Sequence, residues 1–181
     1  MSNWEINTID AILPEEFFAL IERNRRNLVN TFPVTISGCS NLERTAAFLA
    51  QGAENQEKGE YYYFYLRDTQ SKKLIGYIVV KNINRYILKC ELGYFVDKDS
   101  QGQGITSILV AKTVAFCFDT LHLNKVYICT SPVNFASQKV ALKNGFIQEG
   151  VLKQEFKNGD GVMEDIFYFG LLKSEYTSKI K

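Results

Sequence analysis

Two short segments hold residues whose types and spacing could do chemistry. The first is Gln101-Gly102-Gln103-Gly104-Ile105-Thr106, a glycine pair between a predicted strand and a predicted helix. Glycine has no Cβ, so backbone N–H groups at such a junction can come close to a phosphate. The start of the helix adds partial positive charge, which stabilises an anion by about 0.3–1 kcal/mol. The segment reads as a cradle for a pyrophosphate, or as an ordinary glycine-rich turn. It is no P-loop, because no Gly-Lys-Ser/Thr follows. As a dinucleotide fingerprint it is incomplete, with Ser107 at the third glycine position. The second segment is Asn134-Phe135-Ala136-Ser137, at the start of another helix that ends at Asn144-Gly145. Taken singly, Asn134 is an N-cap, Ser137 a polar first-turn residue and Asn144-Gly145 a C-cap.

The elements that must position these segments follow from periodicity. Phe17, Leu20, Ile21, Asn24 and Leu28 share one face of a helix over 15–29, which Pro14 can open. A second helix spans about 41–56, with Leu42, Ala46 and Leu49 inward, and the polar QGAENQEKGE (51–60) reads as a loop. Strands are predicted at 61–66, at 74–83 and from about 88 to 96. The near-continuous apolar run of the second implies cover on both faces. A helix over 105–118 places Ile105, Ile108, Leu109, Lys112, Ala115 and Phe116 on its stripe. A strand at 125–130, a helix at 135–145 and a hairpin around KNGDG complete the chain. No repeat, low-complexity tract or internal linker interrupts it, so one mixed α/β domain over 1–181 is expected.

Composition narrows the function classes. Of 181 residues, 46% are hydrophobic and 23% charged, as in a globular chain with ample core. Lys and Arg number 21 against 20 Asp and Glu, a net charge of +1 with no basic cluster, which argues against a nucleic-acid partner. The first ten residues carry two acids and no base, unlike a signal or transit peptide. No apolar run reaches the length of a membrane span. Cys39, Cys90, Cys117 and Cys129 lack Cys-x-x-Cys spacing and read as buried free thiols, so neither disulfides nor a metal site is expected. The lone His122 reads as an ordinary loop residue. The expected location is cytoplasmic.

The combination of segments carries a resemblance that no residue carries alone. QGQGIT matches the [QR]-x-x-G-x-[GA] loop of the GNAT acetyltransferases, with Thr106 where Gly or Ala is usual. Asn134-x-x-Ser137 followed by Gly145-Phe146 matches their second coenzyme-binding segment. CELGYFVDKDSQGQGI with NFASQKVALKNGFIQEGVLKQ, and FFALIERNRRNL near the start, resembles the ribosomal-protein serine N-acetyltransferase branch. The resemblance implies an α/β (α+β) GNAT fold: a central mixed, twisted sheet flanked by helices, with splayed strands forming an acetyl-CoA cleft.

It also implies roles. Gln101, Gly102, Gln103, Gly104, Ile105 and Thr106 would wrap the pyrophosphate of acetyl-CoA, with a Thr106 hydroxyl able to donate. Tyr94, Phe95 and Val96 would bind the pantetheine arm in the manner of an added strand, one N–H meeting the thioester oxygen. Asn134 would hold the pantetheine amide. Ala141 stands where many members have an acid tyrosine, and Ser137 would protonate the leaving thiolate or relay a proton to it. Glu91, on the strand face expected to carry Gly93 and Phe95, would act as base through a water, with Glu155 the alternative. The implied acceptor is a primary amine, foremost a protein N-terminal α-amino group such as that of a ribosomal protein. A polyamine, an aminoglycoside-type amine, or a non-catalytic acyl-CoA sensor are the competing readings. A homodimer is a further expectation from the resemblance.

Overall fold

The structure is a computed structural model that describes residues 3–178. Chain order is β1 (Trp4–Thr8), α1 (Pro14–Leu28), α2 (Pro33–Gly38), α3 (Leu42–Glu57), β2 (Tyr62–Asp68), β3 (Leu74–Asn84) and β4 (Lys89–Val96). Then follow α4 (Ile105–Ala115), β5 (Lys125–Thr130), α5 (Phe135–Lys143), β6 (Ile147–Lys157), β7 (Met163–Leu172) and α6 (Lys173–Ser178). The seven strands form a mixed sheet in the order β1-β2-β3-β4-β5-β7-β6. Two compact units share the chain. One comprises Met1–Val79, Tyr94–Gln103 and Lys157–Val162; the other comprises Val80–Gly93, Gly104–Phe156 and Met163–Lys181.

The first unit is built on aromatic packing. Helix α1 opens on Pro14, Glu16 reaches back to the Leu13 N–H, and the buried face is Phe17, Leu20, Ile21, Asn24 and Leu28, as its spacing predicts. Phe17 meets Tyr65 and Tyr77 edge-on at centroid distances of 5.4 and 5.6 Å, and Phe95 meets Tyr77 at 5.1 Å. Each such contact adds about 0.5–1.5 kcal/mol to plain area burial. Arg67 of β2 grips both oxygens of Glu16 at 2.6 and 2.9 Å, tying helix α1 to the sheet. That bond chiefly holds the Glu16 carboxyl below its ordinary value. Seven consecutive β3 residues from Leu74 to Val80 are buried, the two-sided cover its apolar run implied.

Two sequence expectations fail here for physical reasons. The segment expected to be a loop from Gln51 is helix as far as Glu57, because Gly52 is a packing residue. A Cβ there would sit 2.8 Å from Ile9 Cδ1. The inward face of α3 is accordingly Thr45, Leu49 and Gly52, while Leu42 and Ala46 are exposed. Strand β1 went unpredicted because WEINT has neither an apolar run nor clear alternation. Its antiparallel register with β2, Trp4↔Asp68 through Thr8↔Phe64, makes it a strand.

In the second unit β4 runs parallel to β5, and β5 antiparallel to β7. The β4–β5 register comprises Lys89↔Lys125, Cys90↔Val126 and Glu91↔Tyr127, after which β5 continues beside β7 to Thr130↔Phe167. Helix α4 buries Ile105, Leu109, Val110, Thr113 and Val114 rather than the expected stripe, and Ile108 and Lys112 face outward. Thr113 escaped the prediction because it is polar, yet its hydroxyl donates to the Leu109 carbonyl at 2.9 Å and so can be buried. A π-helical segment, Phe116–Thr120, follows α4. The Cys90 and Cys117 thiols lie 3.6 Å apart in this interior. All four cysteines are free, and Cys129 differs from expectation in being only half-buried.

Candidate functional site

The glycine-rich loop has a held base and an open tip. In the first unit, Asp97 follows β4 and its N–H donates to the Ile75 carbonyl at 2.7 Å. The Asp97 side chain caps a single helical turn, Lys98–Ser100. Gln101 Nε2 donates to the Val96 carbonyl at 3.3 Å. Gly102 then adopts φ +77°, a left-handed value open to glycine without strain, and no atom lies within 4 Å of where a Cβ would stand. Gln101 to Gly104 are all exposed.

The second unit takes up the loop at Gly104, the N-cap of α4, with φ +76° and equally empty space around it. It supplies no side-chain cap to the helix, whose first N–H groups have no acceptor within the helix. Ile105 is buried and anchors the turn, while Thr106 is half-buried. A start of this kind suits an anion: main-chain donors, helix charge and no Cβ in the approach.

The other named residues fall as follows. Phe95 and Val96 are buried in the first unit, at 7% and 5% exposure, and Tyr94 is half-buried. Gly76 of β3 lies against them so closely that a Cβ would stand 2.6 Å from the Phe95 carbonyl oxygen. In the second unit Asn134 is the N-cap of α5, its Oδ1 accepting from the Ser137 N–H at 3.1 Å. Gln138 Nε2 bonds the Ser131 and Pro132 carbonyls at 3.3 and 2.8 Å, fixing the loop that enters the helix. Val133 and Phe135, on either side of Asn134, are 76% and 70% exposed.

Glu91 stands at the last β4–β5 pair, opposite Tyr127, with its side chain 13% exposed. Both of its oxygens are engaged: Oε1 pairs with Lys81 Nζ at 3.0 Å, and Oε2 accepts from Asn82 Nδ2 at 2.7 Å. Asn82 also bonds the Tyr127 hydroxyl. Asn82 holds φ +52° within β3, a conformation that Asn tolerates better than most residues. Glu155 lies exposed on β6. The two carboxylates act on a common neighbour, Cys129. Burial above all pushes its thiol to about 12; Glu91 and, more weakly, Glu155 push it further up, while Lys81 and Lys89 pull it down.

Sequence reasoning missed the rest of this sheet face. Tyr127 and Tyr168 stack at 4.8 Å, with Lys89 over the Tyr127 ring at 5.4 Å and Lys125 over the Tyr168 ring at 5.3 Å. Lys125 in turn pairs with Glu149, whose carboxylate occupies the space left by Gly170. Burial is the main reason the Tyr127 hydroxyl is raised well above its ordinary range and the Tyr168 hydroxyl to about 12. Both hydroxyls therefore stay protonated donors at neutral pH. The alternation Lys125, Tyr127, Cys129 along KVYICT was the available signal.

Comparison with known proteins decides the family. The profile of the acetyltransferase (GNAT) domain matches residues 9–147. The chain belongs to the GNAT acetyltransferase family. This GNAT chain is 39% identical over 87 residues to the ribosomal-protein-serine acetyltransferase of Escherichia coli, covering 48% of this chain and 49% of that one. It is 28% identical over 116 residues to the spermidine N(1)-acetyltransferase of Vibrio cholerae, covering 64% and 66%. The matches to the first curated relatives span 56%, 62% and 60% of their lengths. The fold is that of the ribosomal-protein-S5-alanine acetyltransferase of Vibrio fischeri, with TM-score 0.84, 23% identity and coverage of 97% and 96%. No helix among the described residues of this GNAT chain is long and apolar enough to cross a membrane.

Proposed function

We propose that the chain transfers an acetyl group from acetyl-CoA to a primary amine, foremost the α-amino group of a protein N-terminus. The uncapped, glycine-initiated start of α4 carries this reading. Residues 101–106 offer main-chain donors to the diphosphate, and the family supplies acetyl-CoA as its usual donor. Tyr94, Phe95 and Val96 offer backbone to the pantetheine arm, and Asn134 a side-chain amide donor beyond its capping oxygen. Ser137 is the hydrogen-bond donor to the departing thiolate. In the step itself the neutral amine nitrogen bonds the thioester carbon, the carbon–sulfur bond breaks, and the thiolate takes a proton.

The acceptor must shed a proton before attack. An α-amino group, with pKa about 7.7–8.0, is partly neutral near pH 7, whereas a lysine-like amine near 10.4 needs far more help. Glu91 is the leading proton acceptor through a water, with Glu155 the alternative. Because Lys81 and Asn82 already engage Glu91, its contribution is a held carboxylate rather than a free one. An N-terminal α-amine asks least of such a group. The likeness to a ribosomal-protein-serine acetyltransferase supports the same acceptor. The likeness to a spermidine acetyltransferase supports a polyamine as the second reading. A homodimer belongs to the proposal too, and the apolar side chains of edge strand β6, with Ile147 at 54%, Val151 at 48% and Leu152 at 38% exposure, favour it.

The test is thiol release from acetyl-CoA against a panel holding peptides with N-terminal Ser or Ala, spermidine and an aminoglycoside. Release with the peptides is expected. Release with spermidine alone would move the assignment to the second reading. Tight coenzyme binding with no release for any amine would make the chain a sensor and overturn the proposal.

A further inference from the structure

The base of the glycine-rich loop is fastened by two neighbouring residues of α1 that no motif singles out. Arg23 Nε donates to Asp97 Oδ2 at 2.6 Å, and its Nη2 donates to the Leu74 carbonyl at 2.5 Å. Asn24, 3% exposed, accepts from the Lys98 N–H at 3.0 Å through Oδ1 and donates to the Leu20 carbonyl at 2.9 Å through Nδ2. Asp97 is itself 4% exposed, and its other oxygen, Oδ1, accepts from the Asp99 N–H at 3.4 Å. Leu74 begins β3, and the next residue, Ile75, holds the Asp97 N–H. A guanidinium and a buried amide thus clamp the first two residues of the turn onto α1 and β3. Immediately downstream, Gly102 has only empty space where a Cβ would stand.

We infer that Arg23, Asn24 and Asp97 are positioning residues for coenzyme binding: they set the direction in which the loop presents its N–H groups to the diphosphate. The physical ground is the contrast within one loop. An exposed glycine with φ +77° costs entropy to fix, so its orientation depends on how firmly the preceding residues are held. Arg23 suits the task because one planar fork reaches a carboxylate and a carbonyl at once, which a lysine cannot reproduce. Asn24 suits it because a buried amide with both ends bonded has one orientation. None of the three needs to touch the coenzyme.

This inference rests on the reading that residues 101–106 hold the diphosphate, and its test separates the two. Affinities are measured by calorimetry or NMR titration for CoA and for S-acetylpantetheine, which has the arm without the diphosphate. Wild-type protein should bind CoA much more tightly than S-acetylpantetheine. Arg23→Ala should weaken CoA by about 10-fold or more while leaving S-acetylpantetheine within about 2-fold, since misdirected donors lose only the diphosphate contacts. Arg23→Lys should recover only part of the loss. Asp97→Asn, which keeps one of the two side-chain acceptors and removes the charge that Arg23 pairs with, provides a second variant should Arg23→Ala fold poorly, with an expected loss of about 3-fold or more for CoA alone. Equal losses for both ligands, or no loss for either, would overturn the inference and leave the diphosphate reading intact. A wild-type protein with no preference for CoA would overturn the diphosphate reading, and the inference with it.

Discussion

Helices α4 and α5 begin in opposite ways. The first starts at Gly104, with left-handed backbone, no capping side chain and nothing for a Cβ to meet there. The second starts at Asn134, whose Oδ1 already accepts the Ser137 N–H at 3.1 Å. A glycine in place of a capping side chain costs a helix only a few tenths of a kcal/mol, so α4 gives up little stability by starting without one. The difference separates two uses of one structural feature. A capped start spends its donors on its own chain and is a rigid platform for side chains such as Ser137. An uncapped start keeps its donors for a ligand.

Converting one start into the other gives the strongest test. Gly104→Asp adds a carboxylate at the mouth of α4, and a like charge facing a diphosphate should weaken CoA binding by roughly 100-fold or more. Asp tolerates left-handed backbone better than most residues, so the unfolding midpoint should fall by only a few degrees. Ser137→Ala probes the platform instead: turnover should drop at least about 10-fold with coenzyme affinity nearly unchanged, since a positioned proton donor acts on the step and not on binding. Unchanged turnover would remove Ser137 from the mechanism. For Glu91→Gln the expected sign is a loss of about 10-fold at neutral pH that shrinks as pH rises and the acceptor amine deprotonates unaided. A wild-type pH profile in that variant would transfer the role to Glu155 or to water. The smallest effect belongs to Asn134→Ala, which removes the α5 cap and should lower the unfolding midpoint by about 2–4 °C. Asn134→Asp keeps the capping oxygen and should restore the midpoint.

How much of this was legible in the sequence depended on range. The α1 face, the glycine pair, the Asn134 cap and the final hairpin each follow from residues within a few positions of one another, and the structure has them as read. What escaped depends on partners far along the chain. Gly52 looked like a loop residue until Ile9 was seen packed against it. Asn24 was legible as an inward residue, but not as the acceptor for the Lys98 N–H, 74 positions away. The Lys81–Glu91–Asn82–Tyr127 group draws on three strands, and only their register brings the residues together. Glu91 was named from its place in a motif. That both its oxygens are engaged could be learned only from the folded chain.

Hydrogen exchange followed by mass spectrometry, with and without saturating CoA, addresses the central claim most directly. Slowed exchange of the backbone amides over 102–108 on adding CoA is the expected result, with that slowing abolished in Gly104→Asp. Tight CoA binding that leaves those amides unprotected while slowing exchange elsewhere would contradict the account.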